Sequence, residues 1–393
     1  MNKLKILFAH DVPLIKNTTD GLMYSSTFTK KLWNRYLSHD IELTVCSRQL
    51  EKKIEDTANY GISSAENVYF KKIPSISSLK NMYHNRKIAK DILKESISGV
   101  DGVIVRLPSE IGLLTYQIAK GLQKPVLIEM VGCPEDAYKF HGSMLGKLYS
   151  KPAKKKYQKS LKSASYVLYV SKEFLQKKYP TQGLRASASN VLLSSKDQEV
   201  LEKRMKMIRE KKYIYKIGII GNLNVKYKGI DDALKAFSLL NKDLKIKLEI
   251  VGGGSSSIWK KKAAELNISD NVLFKGKLSN DEVINWLDTI DVYIQPSKTE
   301  GLPRALIEAM SRGCACVASD VGGIPELLSE KHLHKPNDYN RLYKKINSFI
   351  EIESSRLEAA STNIKKADEY LPDRLKDKRD NLYTKFFSDI RGK

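Results

Sequence analysis

The chain has 393 residues, and its 68 Lys and Arg outnumber its 45 Asp and Glu to give a net charge of +23. That length exceeds the roughly 250–300 residues at which a single core stops growing, so two domains are expected, and the 41% apolar content argues for a folded globular protein. The positive balance calls for a negatively charged partner, whether nucleic acid, anionic lipid or a phosphate-bearing substrate, without choosing among them.

The first segment, MNKLKILFAHD, opens on a strand-like apolar run without the regions of a signal peptide. No apolar run approaches the roughly 18 residues of a membrane span. The expectation is a protein made and kept in the cytoplasm. Short runs rich in β-branched residues then alternate with longer Lys-rich amphipathic stretches, the pattern of βα units around a parallel sheet. The first series of strands reads KILFAHD, IELTVCS, VYFKKI, GVIVRLP, PVLIEMVG, YVLYVS and NVLLSS. Within it, no acidic residue occurs from Ala137 to Lys172. There Lys147, Lys151, Lys155, Lys159 and Lys162 recur at helical spacing, with Leu148, Tyr157 and Leu161 interleaved. This reads either as a solvated helix or as a face for an anionic membrane surface.

The polar stretch SSKDQEVLEKRMKMIREKK is a linker or connecting helix and sets the domain boundary near residue 205, giving domains 1–204 and 205–372. A second series follows: YKIGIIGN, KLEIVGGG, NVLFKG, DVYIQPS and CACVASD. After DVGGIPELL comes a charged helical tail broken at Pro372, whose last helix, about 373–393, is expected to pack back on the first domain. The cysteines Cys46, Cys133, Cys314 and Cys316 form no CxxC or Cys/His array and read as reduced, buried thiols.

Two doubly wound halves bind ligands beyond the carboxyl ends of their strands. After YKIGIIG, glycines Gly221 and Gly229 bracket a loop with Lys226 and Lys228 before a helix. Glycine admits close backbone approach, and a helix N-terminus and lysine add positive charge, so this loop is fit for a diphosphate, although the same residues also suit a plain turn with solvated lysines. The next strand end, IVGGGSSS with Gly252, lacks the third glycine of GxGxxG, so no nicotinamide cofactor is expected. After DVYIQPS comes SKTEGLPRALIEAMSRG, residues 297–313. Pro303 suits the first turn of a helix and Gly313 its end, which puts Glu300 just before the helix and Glu308 in its second turn. Backbone amides of Gly301 to Arg304 are then free for sugar hydroxyls, and a carboxylate can accept both hydrogens of a vicinal diol. The plain alternative is a helix-dipole contact and a surface salt bridge.

The segment PSKTEGLPRALIEAMSRGCACVASDVGGIPELL resembles the donor site of the family 4 retaining glycosyltransferases, with their GT-B fold and E-x7-E pair. IVGGG, DNVLFKGKLSNDEV and the KG of YKGIDDALKAF follow in the family's order, over roughly residues 213–330. The resemblance implies an α/β GT-B fold, two Rossmann-like domains facing a central cleft. It implies that Glu308 holds the ribose of a nucleotide sugar, expected to be a UDP-sugar, and that Glu300 lies against the transferred sugar. Amides of Gly301, Leu302 and the neighbours of Pro303, Arg304 among them, would meet sugar hydroxyls, Lys228 the diphosphate, and backbone around Lys277 and Leu278 the base. No metal or other cofactor is implied. Where the family commonly has arginine after the first glycine this chain has Asn222, in a loop one residue longer, with Lys226 as a substitute charge. The family's N-domain histidine has no counterpart after PVLIEMVG, where Glu129 or the later His141 is either its replacement or a strand-end acid and a loop histidine without a catalytic part. Gly21 resembles the family's acceptor-side glycine loop.

The implied activity is transfer of a sugar to a glycan or lipid-linked acceptor in cell-surface polysaccharide synthesis. An epimerase or phosphorylase of the same architecture is the nearer rival. A basic nucleic-acid-binding protein is the distant one, and no recognisable module supports it.

Overall fold

The computed structural model describes residues 3–54, 60–140, 144–194, 199–210, 214–241 and 244–392. The first lobe carries strands β1 (Leu4–Asn17), β2 (Met23–Ser25), β3 (Ile41–Lys52), β4 (Gly61–Ile62), β5 (Val68–Lys72), β6 (Gly102–Leu107), β7 (Val126–Met130), β8 (Tyr166–Tyr169) and β9 (Leu184–Ser187). Its helices are α1 (Lys30–Leu37), α2 (Leu79–Ser98), α3 (Glu110–Gly121), α4 (Pro134–Lys139), α5 (Met144–Lys162) and α6 (Phe174–Lys178). Helix α7 (Val200–Glu210) leads into the second lobe. There β10 (Tyr215–Ile220), β11 (Ile246–Val251), β12 (Val272–Gly276), β13 (Val292–Gln295), β14 (Ala315–Ser319) and β15 (Leu333–His334) alternate with α8 (Ile230–Ser238), α9 (Ser257–Glu265), α10 (Asn280–Asp288) and α11 (Arg304–Ser311). Helices α12 (Tyr339–Glu351), α13 (Glu353–Ala367) and α14 (Pro372–Arg391) end the chain.

The second sheet runs in the order β12-β11-β10-β13-β14-β15, all pairs parallel. In the first sheet the parallel ladders run β5-β3-β1-β6-β7-β8-β9. Both are doubly wound, and the strand order reverses between β1 and β6 and again between β10 and β13. Strands buried on both faces need continuous apolar runs, and β6 and β13 are buried at every position.

The ends of β1 and the NVLLSS segment differ from the sequence reading, and β2, β4 and β15 go beyond it. β1 does not stop at Asp11: its register shifts between Ala9 and Pro13, and the remainder pairs antiparallel with β2. NVLLSS is not a strand; the edge strand is β9, paired with β8. The alternation of buried Val191, exposed Leu192 and buried Leu193 mimics a strand, but side chains satisfy the backbone there, with Ser189 Oγ accepting from Val191 N and Arg379 donating to Ser189 O. Position 205 falls inside α7, and the neighbouring Arg204 donates to the carbonyls of Leu287, Ile290 and Arg312 of the second lobe.

The last helix returns to the first lobe. Pro372 opens α14 at a position that needs no N–H, and Phe386, Phe387 and Tyr383 are buried. Gly102 leaves room for this helix, since a Cβ there would lie 2.5 Å from Ile390 and 3.4 Å from Phe386. Phe386→Ala is expected to destabilise the protein by about 3–5 kcal/mol, read as a lowered urea midpoint; an unchanged midpoint would show that α14 does not hold the first lobe.

Candidate active site

The reversal point of the second sheet lies between the ends of β10 and β13. The loop after β13 is enclosed by backbone on both sides. Gly229, with φ +73°, lies against Pro296 so that a Cβ would come within 1.9 Å of its carbonyl oxygen, and Gly322, with φ +60°, lies equally close to the Glu300 carbonyl. Lys298 N donates to Tyr227 O at 2.7 Å and Gly323 N to Gly301 O at 2.8 Å. Glu300 is thereby fixed at the mouth of the reversal point. Its Oε1 accepts from Lys228 Nζ at 2.8 Å, Ser297 Oγ at 2.7 Å and Gln295 Nε2 at 3.0 Å.

Lys228 reaches Glu300 from the end of a short 3-10 turn, Lys226–Lys228, and its stem packs over Gly221, whose Cβ would lie 3.1 Å from it. Lys226 and Asn222 are exposed. Asn222 Oδ1 accepts from Asn224 N, and Asn224 Oδ1 from Ser255 N, so Asn222 shapes the loop. Gly252 lies against the Gly221 carbonyl. After β12, Lys277 is exposed with its Nζ 5.7 Å from the Tyr60 ring of the first lobe, while Leu278 is half-buried.

Helix α11 begins one residue later than expected: Pro303, with extended ψ of 113°, is its cap rather than part of its first turn. The amides of Arg304, Ala305 and Leu306 have no acceptor within the helix. One turn on, Glu308 is half-buried, and among the described residues nothing donates to its carboxylate. Burial raises its pKa above 4.5, offset in part by Arg304. A desolvated carboxylate without a donor is unfavourable in itself and favours a ligand that brings hydroxyl hydrogens.

The lobes meet at the same loop. A Cβ on Gly301 would lie 2.8 Å from the Val131 carbonyl of the first lobe. Thr299 Oγ1 donates to Asp136 at 3.1 Å. Glu326 accepts from the backbone amides of Lys172, Glu173 and Phe174, which ties the second lobe to the start of α6. Cys133, Glu135 and Asp136 come within 4.8 Å of one another, and Lys178 already occupies this group, 3.0 Å from Glu135 and 3.5 Å from Asp136.

Opposite α11, at the reversal point of the first sheet, lies a cavity of about 300 Å³ lined by His10, Arg35 and Arg106 and, across the cleft, by Leu302 and Arg304. Burial, then the Arg106 charge, lowers the pKa of His10 to about 4. Its ring is therefore neutral near pH 7. Its Nδ1 lies 3.0 Å from the Arg106 carbonyl, which can only accept, so Nδ1 carries the hydrogen and Nε2 is left as an acceptor.

The expected first-lobe residues fall elsewhere. Glu129 is 2% exposed, and its oxygens accept from Arg106, Tyr36 and Tyr383. Burial alone would raise its pKa, but Arg106 and the two tyrosines hold it below 4.5. It supports Arg106 from beneath and does not face the cleft. His141 lies outside the described residues. Gly21, with φ +73°, sits in the exposed turn between β1 and β2 and does not line the cavity. In the basic helix α5, Tyr157 and Leu161 point into the core, so they are not part of its surface face; the five lysines are exposed there with Met144, Leu145 and Leu148. His10, Arg106, Glu326 and the Ser297–Gln295 pair carried no signal of spacing in the sequence, though His10 and Arg106 end or follow recognisable strands.

The family model for group 1 glycosyl transferases matches residues 202–367. Protein CapJ of Staphylococcus aureus is 36% identical over 98% of this chain and 97% of its own. Among solved structures, WaaG, a glycosyltransferase involved in lipopolysaccharide biosynthesis, superposes with a TM-score of 0.66 at 13% identity, covering 97% of this chain and 99% of that one. Anabaena HepE in complex with UDP-glucose superposes with a TM-score of 0.64 at 14% identity, covering 99% and 100%. These likenesses show the two-lobed GT-B fold.

Removing Glu129 would leave Arg106 buried without its counter-charge. Glu129→Ala is therefore expected to cost about 3–5 kcal/mol in urea unfolding at neutral pH. Because the folded pKa is depressed, the pair's contribution is present above the ordinary value of 4.5 and fades as pH falls through the lower folded value, so the variant's deficit should shrink in strong acid. A deficit independent of pH would argue against this account.

Proposed function

The chain belongs to the group 1 glycosyl transferases, and from that premise we propose that it is a family 4 enzyme. It moves a sugar, with retention, from a nucleoside diphosphate sugar to a hydroxyl of a glycan or lipid-linked acceptor in cell-surface polysaccharide synthesis. The observation that carries this reading is the grouping of Lys228, Glu300 and the N-terminus of α11 at one sheet reversal point, with the Glu308 carboxylate, which has no hydrogen-bond donor among the described residues, one turn along the helix. The names of the fold's neighbours agree with UDP-glucose as a type of donor and with polysaccharide synthesis as a setting. The donor lobe is assigned to 205–372 and the acceptor lobe to 1–204 with 373–393, supported by the packing of α14 on β8 and β9.

In this reading Glu308 accepts the two ribose hydroxyls, the residues around Lys277 and Leu278 border the base, and Lys228 turns from Glu300 to the diphosphate. The amides at the start of α11 and of Gly301 and Leu302 meet the sugar and the phosphates. Gly221, Gly229 and Gly252 give the backbone its close approach, and exposed Lys226 adds charge at the rim. The bond from the anomeric carbon to the diphosphate breaks, the acceptor oxygen bonds the same face, and the departing phosphate oxygen takes the acceptor's proton. Lysine and amide dipoles stabilise the leaving diphosphate, so no metal is called for. When Lys228 turns away, Ser297 and Gln295 still donate to Oε1 of Glu300, which favours a fixed anion beside an oxocarbenium-like state over a nucleophile. Neutral His10 offers Nε2 to a sugar hydroxyl, the place expected for His141.

Met144, Leu145 and Leu148 are 73, 60 and 73% exposed beside Lys147 and Lys151, and none of the five lysines of the α5 face has an acidic partner among the described residues. Apolar side chains among unpaired lysines suit the surface of an anionic bilayer, each lysine adding about 1 kcal/mol. The acceptor's lipid carrier would then be presented beside the cleft.

Calorimetric titration with UDP tests the donor site. Glu308→Ala should weaken UDP roughly tenfold or more, since it removes hydrogen bonds to a charged group; unchanged affinity would refute the ribose assignment. Glu300→Gln should keep UDP affinity and lose about 100-fold or more in transfer. The donor sugar follows from a thermal-shift screen of nucleotide sugars. Sedimentation with phosphatidylglycerol vesicles should carry the protein down in a salt-sensitive manner, while phosphatidylcholine vesicles should not; equal binding to both, or none, removes the membrane assignment.

A further inference from the structure

The cavity on the first-lobe side of the cleft has an unusual charge balance. Lys31, Arg35, Arg106 and Arg304 line it, and among the described residues no Asp or Glu does. Arg106 is neutralised from below by Glu129 at 2.6 Å. Arg304 is drawn also to Glu308 one turn along α11, while Lys31 and Arg35 have no carboxylate partner among the described residues.

Arg35 is the informative one. It is half-buried on α1, and among the described residues its only side-chain hydrogen bond is to the Asn190 amide oxygen at 2.9 Å. Behind it stands Arg379 of α14, 5% exposed, which donates to the Ser189 carbonyl at 2.9 Å and has an Nε with no acceptor. Burial, and then the charge of Arg379, lowers the pKa of Arg35. Two neighbouring guanidinium groups, one half-buried and one nearly fully buried, are thus held by Ser189 and Asn190, with no anion beside them among the described residues. Taking a charge from water without a counter-charge is costly. A solvated basic face would not bury its arginines, so the general positive charge of the chain does not account for the arrangement.

We propose that this cavity receives an anionic group of the acceptor, a carboxylate or a phosphate, with Arg35 as its principal counter-charge and Lys31 and Arg304 closing on it from the two sides. The inference rests on the acceptor-side reading of the cleft given above and names the substrate class. Arg35 presents a planar pair of donors suited to either oxyanion. Arg304, one residue beyond the cap of α11, brings the second lobe to the same group, so an acidic acceptor engages both lobes at once. A neutral sugar would leave the guanidinium groups as they stand.

The test uses the full chain saturated with UDP, which fills the donor side, at constant ionic strength. D-glucuronate, D-glucose 6-phosphate and D-glucose are compared as probes by thermal shift and calorimetry. At least one anionic sugar should bind and stabilise while glucose does not. Preference for glucuronate identifies an acidic sugar, and preference for the phosphate identifies a phosphorylated one or a carrier phosphate. Arg35→Gln, which retains a polar side chain next to Asn190, should weaken the anionic probe about tenfold or more, and Arg304→Gln should also weaken it, while the distant surface variant Lys260→Gln should not. Equal binding of all three sugars, no binding of either anion, or an equal loss in Lys260→Gln would overturn the proposal. UDP affinity, measured in parallel, separates the two readings: failure of UDP to bind the unmodified chain counts against the donor site, and the glucuronate comparison, repeated without UDP, still decides the cavity.

Discussion

The backbone of the loop from Pro296 to Leu302 is pinned by close approach at three points. Gly229 and Gly322 lie against its carbonyls where a Cβ would fall within 1.9 Å, and its own Gly301 lies 2.8 Å, by the same measure, from the Val131 carbonyl of the opposite lobe. Protein interiors respond to such crowding with displacement and strain, not with small adjustments. The position of Glu300, the start of α11 and the contact between the lobes are therefore set together by backbone packing. Side chains then refine it: three donors on one oxygen of Glu300 leave that carboxylate little freedom.

The two reversal points face each other with opposite electrostatic design. On the second lobe, lysine and glutamate neutralise one another at the mouth of the sheet, and a further carboxylate stands without a donor. On the first lobe, Arg106 is supported by a buried acid and two tyrosines, and Lys31 and Arg35 beside it have no acidic partner among the described residues. Burying Arg106 with Glu129 gives that lobe a stiff polar floor, because every member of the group has partners in a region of low dielectric. The aromatic layer of Phe8, Phe28 and Trp33 packs above it, with the Arg106 guanidinium 5.0 Å from the centre of the Phe28 ring.

Much of this was legible in the sequence because it depends on short-range pattern. Apolar runs gave the parallel strands, and the spacing of Glu300 and Glu308 around a Gly-Leu-Pro turn placed both acids on one strand-to-helix junction. What was hidden depends on partners far along the chain. Glu129 looked like a strand-end acid available for chemistry, and only the fold brings Arg106, Tyr36 and Tyr383 onto it. His10 was read as part of a strand end, and its place in the cleft follows from the register shift after Ala9. NVLLSS has the alternation of a strand, but with β9 already forming the edge it is held by side chains instead. Tyr157 and Leu161 share helical spacing with the lysines of α5, and spacing alone does not tell which side of a helix a neighbouring sheet covers.

The chain passes between the lobes twice, once through α7 and once at Asp368–Leu371, where α14 turns back onto the first lobe. A single covalent crossing permits swivelling in any direction. Two crossings act as the two knuckles of a door hinge, and here Lys172 of the first lobe is clasped to Glu369 at the second knuckle. Rotation about the line through both crossings is the relative motion of the lobes that strains neither. Along that arc the first-lobe wall moves away from α11 and back to the same facing, with no search over orientations.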